Sequence, residues 1–147
     1  MISFNKLYNQ KLLDLIIHNK CDLSNTSLKE INKNIFNFQN LEELNLSENQ
    51  IDYIPKNIKN LINLKTLNLS DNSIVKVPKS IGTLSQLENL YLSGNELKNL
   101  PLNIINLTNL KWLTLIDNPN LKLNKSQLKW LNNLKQNNCK ILLDFKH

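Results

Sequence analysis

Leucine and isoleucine recur along the chain with a period of 23 residues, far longer than the period of one helix or one strand. Apolar residues match at nearly every fixed position of the unit, although Cys21 replaces one leucine in the first unit. The units are residues 18–40, 41–63, 64–86 and 87–109, and a fifth that begins at Leu110. A repeat of this length indicates a solenoid, in which each unit buries its apolar face only by stacking on its neighbours.

Each unit opens with alternating leucines, as in Leu44-Asn45-Leu46, which predicts a short β-strand with every second side chain pointing inward. A proline then predicts an extended entry into an outer segment, whose isoleucine points back to the core. An asparagine follows the strand at one fixed position, in Asn49, Asn72, Asn95 and Asn118. Because an inward asparagine offers two donors and an acceptor, we expect a ladder that satisfies turning backbone groups.

These units resemble the leucine-rich-repeat family, whose pattern is LxxLxLxxNxLxxLPxxIxxLxx. The resemblance covers roughly residues 18–124. The steps Ile54-Pro55, Val77-Pro78 and Leu100-Pro101 look like the intracellular repeats of the Ras-group-related and scaffold types. The resemblance implies an α/β solenoid, a short horseshoe with a parallel β-sheet on its concave side.

The two ends of the chain depart from the repeat and are predicted to cap the stack. Helical spacing of apolar residues over residues 1–17 predicts an amphipathic N-terminal helix. At the other end, Ser126 is predicted to start a helix, followed by an edge strand over residues 139–145. The apolar residues of this predicted helix are Leu128, Trp130, Leu131 and Leu134, and we expect Trp130 to fill the core of the C-terminal cap.

We therefore expect a single domain over residues 1–147, with about five repeats in residues 18–124 and a C-terminal cap in residues 125–147. No apolar run approaches the roughly 20 residues that cross a membrane, so no membrane span is expected. With two cysteines and no signal peptide, the chain is predicted to be intracellular and cytoplasmic.

The composition offers little for catalysis, which needs a positioned acid, base, nucleophile or metal. The only histidines are His18 and His147, and no HxxxH or CxxC spacing exists. The only glycines, Gly82 and Gly94, form no phosphate-binding loop. We therefore expect no enzymatic activity, no cofactor and no metal site.

The resemblance implies that a partner binds the exposed residues of the concave sheet, at positions 2, 3, 5, 7 and 8 of each unit. The residues of this predicted site, called the concave face below, are Glu42, Glu43, Asn45, Lys65, Thr66, Asn68, Glu88, Asn89, Tyr91, Trp112, Thr114 and Ile116. Exposed aromatic residues are frequent binding hot spots, so Tyr91 and Trp112 are the predicted anchor. The alternative is that the C-terminal cap folds over both rings.

Charge is distributed unevenly between the two sides of the predicted solenoid. The formal net charge is +6, and all 18 positive residues are lysines. The five face positions carry seven acidic residues and three lysines, so that face has a charge of about −4 and the rest of the chain about +10. We therefore expect a non-catalytic module that binds a protein partner with a neutral or basic surface.

Two other functions stay open. The lysine-rich outer side fits nucleic acid or another anionic surface, although the complete absence of arginine argues against nucleic acid. The same lysines also fit a solvated surface that keeps an apolar protein soluble. The second alternative is an inhibitor that mimics a longer scaffold of the same family.

Overall fold

The computed structural model describes residues 18–144, in which six short strands form one parallel sheet in chain order. The strands are β1 (Lys20–Asp22), β2 (Glu43–Asn45), β3 (Thr66–Asn68), β4 (Asn89–Tyr91), β5 (Trp112–Thr114) and β6 (Lys140–Leu142). Leu44 pairs with Leu67 and Leu67 with Leu90, each 23 residues further along. The 23-residue period of the sequence therefore sets which residues pair in the sheet. The predicted short solenoid is confirmed.

A short 3₁₀ helix follows each of the first four strands. These helices are η1 (Lys33–Asn37), η2 (Lys56–Asn60), η3 (Lys79–Thr83) and η4 (Leu102–Asn106), and they pack side by side in chain order. Proline precedes η2, η3 and η4 with φ between −62° and −70°, the value that its ring imposes. One isoleucine of each helix is completely buried, so the outer segments return to the core as predicted.

The turn that leaves each strand uses a left-handed residue at position 8 of the unit. Here φ is +50° at Asn25, +55° at Glu48 and Asp71, +63° at Gly94 and +57° at Asp117. Glycine, asparagine and aspartate adopt this conformation readily, whereas Glu48 adopts it at a cost. Four residue types share the position, and for this reason the sequence did not reveal the turn.

The predicted asparagine ladder is confirmed, as Asn72 shows. Its Nδ2 donates to the carbonyl oxygens of Leu46 (2.9 Å), Leu69 (3.2 Å) and Ser70 (3.1 Å), and its Oδ1 accepts from the Ile51 amide at 3.0 Å. The same pattern recurs at Asn49, Asn95 and Asn118. Each asparagine thereby joins the backbone of its own unit to that of the preceding unit.

The C-terminal helix α1 (Lys125–Gln136) begins at a different cap from the predicted Ser126. Asn124 Oδ1 accepts a hydrogen bond from the backbone N–H of Gln127, and Gln127 Oε1 accepts one from the backbone N–H of Asn124, both at 3.0 Å. This reciprocal pair is a capping box. The side chain of Gln127 also donates from Nε2 to the Leu100 carbonyl oxygen at 2.8 Å, so a polar side chain is held in the core.

The apolar side of α1 departs from the prediction at one residue. Trp130, Leu131 and Leu134 are buried as expected, whereas Leu128 is 39% exposed. Trp130 Nε1 donates to the Leu107 carbonyl at 3.1 Å, so its ring fills the core with its polar atom satisfied. The final strand β6 is shorter than predicted. Phe145 and the predicted N-terminal helix over residues 1–17 lie outside the described residues.

Gly82 lies at a close approach between η3 and η4. A Cβ atom at this position would clash with the backbone oxygen of Asn103, which cannot rotate away. We therefore expect Gly82→Ala to push the two helices apart and to lower the free energy of unfolding by about 2 kcal/mol, measured by urea denaturation. The control is Gly94→Asn, because a Cβ there first meets the rotatable Asp71 carboxylate and asparagine tolerates a positive φ. Equal losses of unfolding free energy in the two variants would contradict the close approach of η3 and η4 at Gly82.

Candidate functional site

Strand alternation places the predicted site residues on the solvent side of the sheet. In β2, β3 and β4 the central leucine is buried and its two neighbours are partly exposed. Because neighbouring units pair residue by residue, equal positions line up in rows across the strands. The rows are Glu42, Lys65 and Glu88 at position 2; Glu43, Thr66, Asn89 and Trp112 at position 3; Asn45, Asn68, Tyr91 and Thr114 at position 5; and Ile116 at position 7.

The charges on this side of the sheet form pairs across adjacent strands. Lys65 Nζ lies 2.7 Å from Glu42 Oε2, and this hydrogen bond and the glutamate charge raise the pKa of Lys65 above its ordinary value. The pairs Lys20–Glu43 and Lys111–Glu88 have distances of 2.7 and 2.8 Å. Such exposed pairs contribute little to stability, but they cancel charge locally. The negative charge that remains after this pairing therefore lies away from the centre of the face.

Most of this remaining negative charge lies along the edge where the strands end. Glu48, Asp71 and Asp117 are exposed and occupy the left-handed position 8 of three units. Asp144 follows β6 and accepts a hydrogen bond from the Asp117 amide at 2.9 Å. The face thus has a locally neutral centre and an acidic edge, a division that counting charges in the sequence did not reveal.

Asn45 and Asn68 use their side-chain oxygens to hold the turn after the strand. Asn45 Oδ1 accepts from the Ser47 amide at 3.1 Å and from its hydroxyl at 2.8 Å, and Asn68 Oδ1 accepts from the Ser70 amide at 3.0 Å. These are Asx turns, so the two asparagines serve the fold as well as lying on the face. The recurring Asn-x-Ser spacing was the sequence signal for them.

Tyr91 interrupts this row because its hydroxyl lies at the far end of the ring, so no acceptor stands where asparagine places its amide oxygen. As a result Ser93 Oγ is buried without a hydrogen-bond partner among the described residues. In the next strand Thr114 lies between Tyr91 and Leu142 and is only 7% exposed. The predicted exposure of Thr114 is therefore wrong, since the large side chains of Tyr91 and Leu142 flank it on both sides.

Trp112 keeps part of its surface exposed although the C-terminal strand reaches it. Lys140, its pairing partner in β6, places Nζ 5.0 Å from the centre of the indole ring, a cation–π contact. Tyr91 and Ile116 are also partly exposed. Two aromatic rings and one isoleucine, each partly exposed, thus lie on the same side of the sheet beside the paired charges, and together they are called the apolar patch below.

Reactive groups are scarce in the part of the chain that the structure describes. Among residues 18–144, no group of three or more His, Cys, Asp or Glu side chains is placed to hold a metal ion. Both cysteines of the described residues are buried, and burial raises the pKa of Cys139, which keeps it a thiol. Within the same residues, no helix combines the length and apolar character needed to cross a bilayer.

A stack of strand and 3₁₀ units on one parallel sheet defines this chain as a repeat solenoid. The family model for a leucine-rich repeat region matches residues 54–144, and that for a leucine rich repeat matches residues 19–74. The chain belongs to the leucine-rich-repeat family. None of the curated proteins matches it.

Several solved structures share the fold. A leucine-rich-repeat protein of Leptospira interrogans is 33% identical, with a TM-score of 0.67 over 78% of this chain and 28% of its own. Internalin C2 of Listeria monocytogenes is 25% identical, with a TM-score of 0.68 over 84% of this chain and 50% of its own. The ectodomain of the receptor kinase SOBIR1 of Arabidopsis thaliana is 26% identical, with a TM-score of 0.66 over 83% and 66% of the two chains.

This chain therefore spans between 28% and 66% of these three structures. The leucine-rich-repeat fold generally mediates protein–protein interaction, and its members are typically non-catalytic. Bacterial proteins and a receptor ectodomain both have this fold. An intracellular location and the Ras-group or scaffold subtype accordingly stay predictions.

Proposed function

We propose that this protein is a non-catalytic module that binds a protein partner through the concave face, with Tyr91 and Trp112 as its anchor. The observation that carries the proposal is the apolar patch of these two rings and Ile116. Tyr91 pairs with Thr114, and Trp112 lies two residues before Thr114 on β5. The two residues are thus diagonal neighbours on adjacent strands, about 7 to 8 Å apart, within reach of one partner side chain.

The chemistry around the patch favours a partner that is apolar at its centre and basic at one edge. Lys111 and Glu88 are already paired beside the rings, whereas Lys140 places a positive charge over the Trp112 ring. The edge carries Glu48, Asp71 and Asp117, which attract a basic rim. An aromatic centre surrounded by polar residues is the usual arrangement of binding energy in protein interfaces.

The test is loss of binding when the anchor is removed. We expect Trp112→Ala and Tyr91→Ala each to weaken partner binding by about 2 kcal/mol, or about 30-fold in Kd. Partners are captured on the immobilised full chain from a lysate of the source organism, and the affinity of each purified partner is then measured by calorimetry. Thermal unfolding of each variant separates lost binding from lost folding, since Trp112→Ala also removes the Lys140 contact.

The matched control is Tyr53→Ala, which removes an exposed tyrosine that belongs to none of the six strands. It should leave partner affinity unchanged. A partner that tolerates both anchor variants and is lost with Tyr53→Ala would place the binding site on the other side of the solenoid. If this chain instead mimics a longer leucine-rich-repeat protein, the same partner must also bind that longer protein, and this chain must compete with it for the partner.

A further inference from the structure

Lysine occupies the first position of nearly every helical segment on the outer side. Among residues 18–144, η1, η2, η3 and α1 begin with lysine, and η4 begins with leucine. These segments pack side by side in chain order, so their first residues form one row across the repeats. The row, called the outer row below, consists of Lys33, Lys56, Lys79, Leu102 and Lys125.

The four lysines of the outer row are exposed, and none has a carboxylate within 4.0 Å in the described residues. No acidic residue lies in the first turn of any of the five segments. The contrast with the sheet is direct, since Lys20, Lys65 and Lys111 are each paired with a glutamate there. A helix start favours acidic side chains, so the stability of α1 does not account for Lys125.

The same imbalance extends over all the outer segments. Residues 27–40, 50–63, 73–86, 96–109 and 119–138 contain eleven lysines and only three acidic residues, Glu30, Asp52 and Glu96. A surface that serves solubility mixes both signs of charge. Segregation of one sign on one side produces a field that attracts an anionic partner.

Exposed apolar side chains accompany these lysines. Leu102, a member of the outer row, is 64% exposed, and Tyr53 is 61% exposed. Tyr53 precedes Lys56 by three residues and forms a backbone bridge with Lys76 of the next unit. Ile62, Val75 and Ile105 are also exposed on these segments. Lysines beside exposed leucine and tyrosine are typical of surfaces that lie on membranes, where lysine meets the headgroups and the apolar groups enter the interface.

We propose that the outer row, together with Tyr53, docks on an anionic lipid surface and leaves the concave face free to bind a protein. Lysine is a hydrated point charge that suits lipid headgroups, whereas nucleic-acid recognition relies largely on arginine, which this chain lacks. A row that spans the repeats also matches an extended plane of negative charge. The proposal uses the side of the molecule opposite the concave face, so either can fail without the other.

The experiment is co-sedimentation of the full chain with vesicles of equimolar phosphatidylserine and phosphatidylcholine, compared with phosphatidylcholine alone. We expect binding to the first, steep loss of binding with added salt, and no binding to the second. The triple variant Lys33→Gln, Lys56→Gln, Lys79→Gln should lower the partition coefficient about 100-fold, since each lysine contributes about fivefold. Leu102→Ser should lower it severalfold without changing the salt dependence.

The matched control is the triple variant Lys20→Gln, Lys65→Gln, Lys111→Gln, which removes the same charge from the sheet side. It should bind vesicles as the unchanged protein does. Equal losses in the two triple variants would mean that net charge alone acts, and would overturn the proposal. Absence of binding to the anionic vesicles would overturn it as well. Duplex DNA that binds the outer row more tightly than the vesicles do, and competes with them, would assign the row to nucleic acid instead.

Discussion

Deleting residues 124–147 is expected to leave a chain that aggregates or fails to fold. The deletion removes α1 and β6, which bury Trp130, Leu131 and Leu134 against the last repeat. It also exposes the backbone edge of β5, which β6 pairs along its whole length. A repeat array without a polar end loses solubility because the next apolar layer faces water. Size-exclusion chromatography and circular dichroism of the truncated chain measure this outcome.

A single substitution tests the same contact in the full chain. Trp130→Ala removes a buried indole and its hydrogen bond to the Leu107 carbonyl, which should lower the free energy of unfolding by about 4 kcal/mol. Leu128→Ala, on the exposed side of the same helix, should cost less than about 1 kcal/mol. If the truncated chain unfolds as cooperatively as the full chain, or if the two variants share a urea midpoint, the segment is not a cap.

The repeat register was predictable because burial and pairing have the same period. Leu44, Leu67 and Leu90 lie 23 residues apart, and each must point inward for its own unit to fold. Once one strand is placed, the next is placed by the same spacing. The asparagine ladder followed for the same reason, since a polar residue at a fixed inward position needs partners that recur with it.

Three other features were not predictable in the same way. The left-handed turn accepts Asn25, Glu48 and Gly94 alike, so no residue type marks it. Leu128 continues the helical apolar spacing, yet residues 119–138 do not follow the repeat, so the periodicity did not determine which side of α1 faces the core. Thr114 is buried between two large residues, Tyr91 and Leu142, and Leu142 belongs to a strand outside the repeat.

The candidate site shows a signal that counting charges overlooks. Glu42 and Lys65 occupy the same position of neighbouring units, as do Glu88 and Lys111. In a parallel sheet with this register such residues are adjacent, so opposite charges at equal positions predict the pairs that the structure shows. Comparing equal positions across units, instead of adding charges over the face, would have predicted a neutral centre.

Asn72→Ala is expected to lower the free energy of unfolding by about 3 kcal/mol, more than an ordinary buried hydrogen bond, because four contacts are lost together. The buried Ile51 amide and Leu46 carbonyl each lose their bond to this side chain, and alanine offers them no replacement. Asn89→Ala is the control, since Asn89 is partly exposed and makes one side-chain hydrogen bond, to Thr66 Oγ1 at 3.0 Å. It should cost less than about 1 kcal/mol.

The slope of the urea transition distinguishes a local effect from a loss of coupling between units. Asn72 joins the second and third units, and a repeat array is stable as a whole only while its neighbour interfaces hold. If that interface fails first, the two parts of the array unfold in separate steps and the apparent slope falls. Asn89→Ala should keep the slope of the unchanged protein. Equal midpoints and equal slopes for the two variants would show that the inward asparagine is not a link between units.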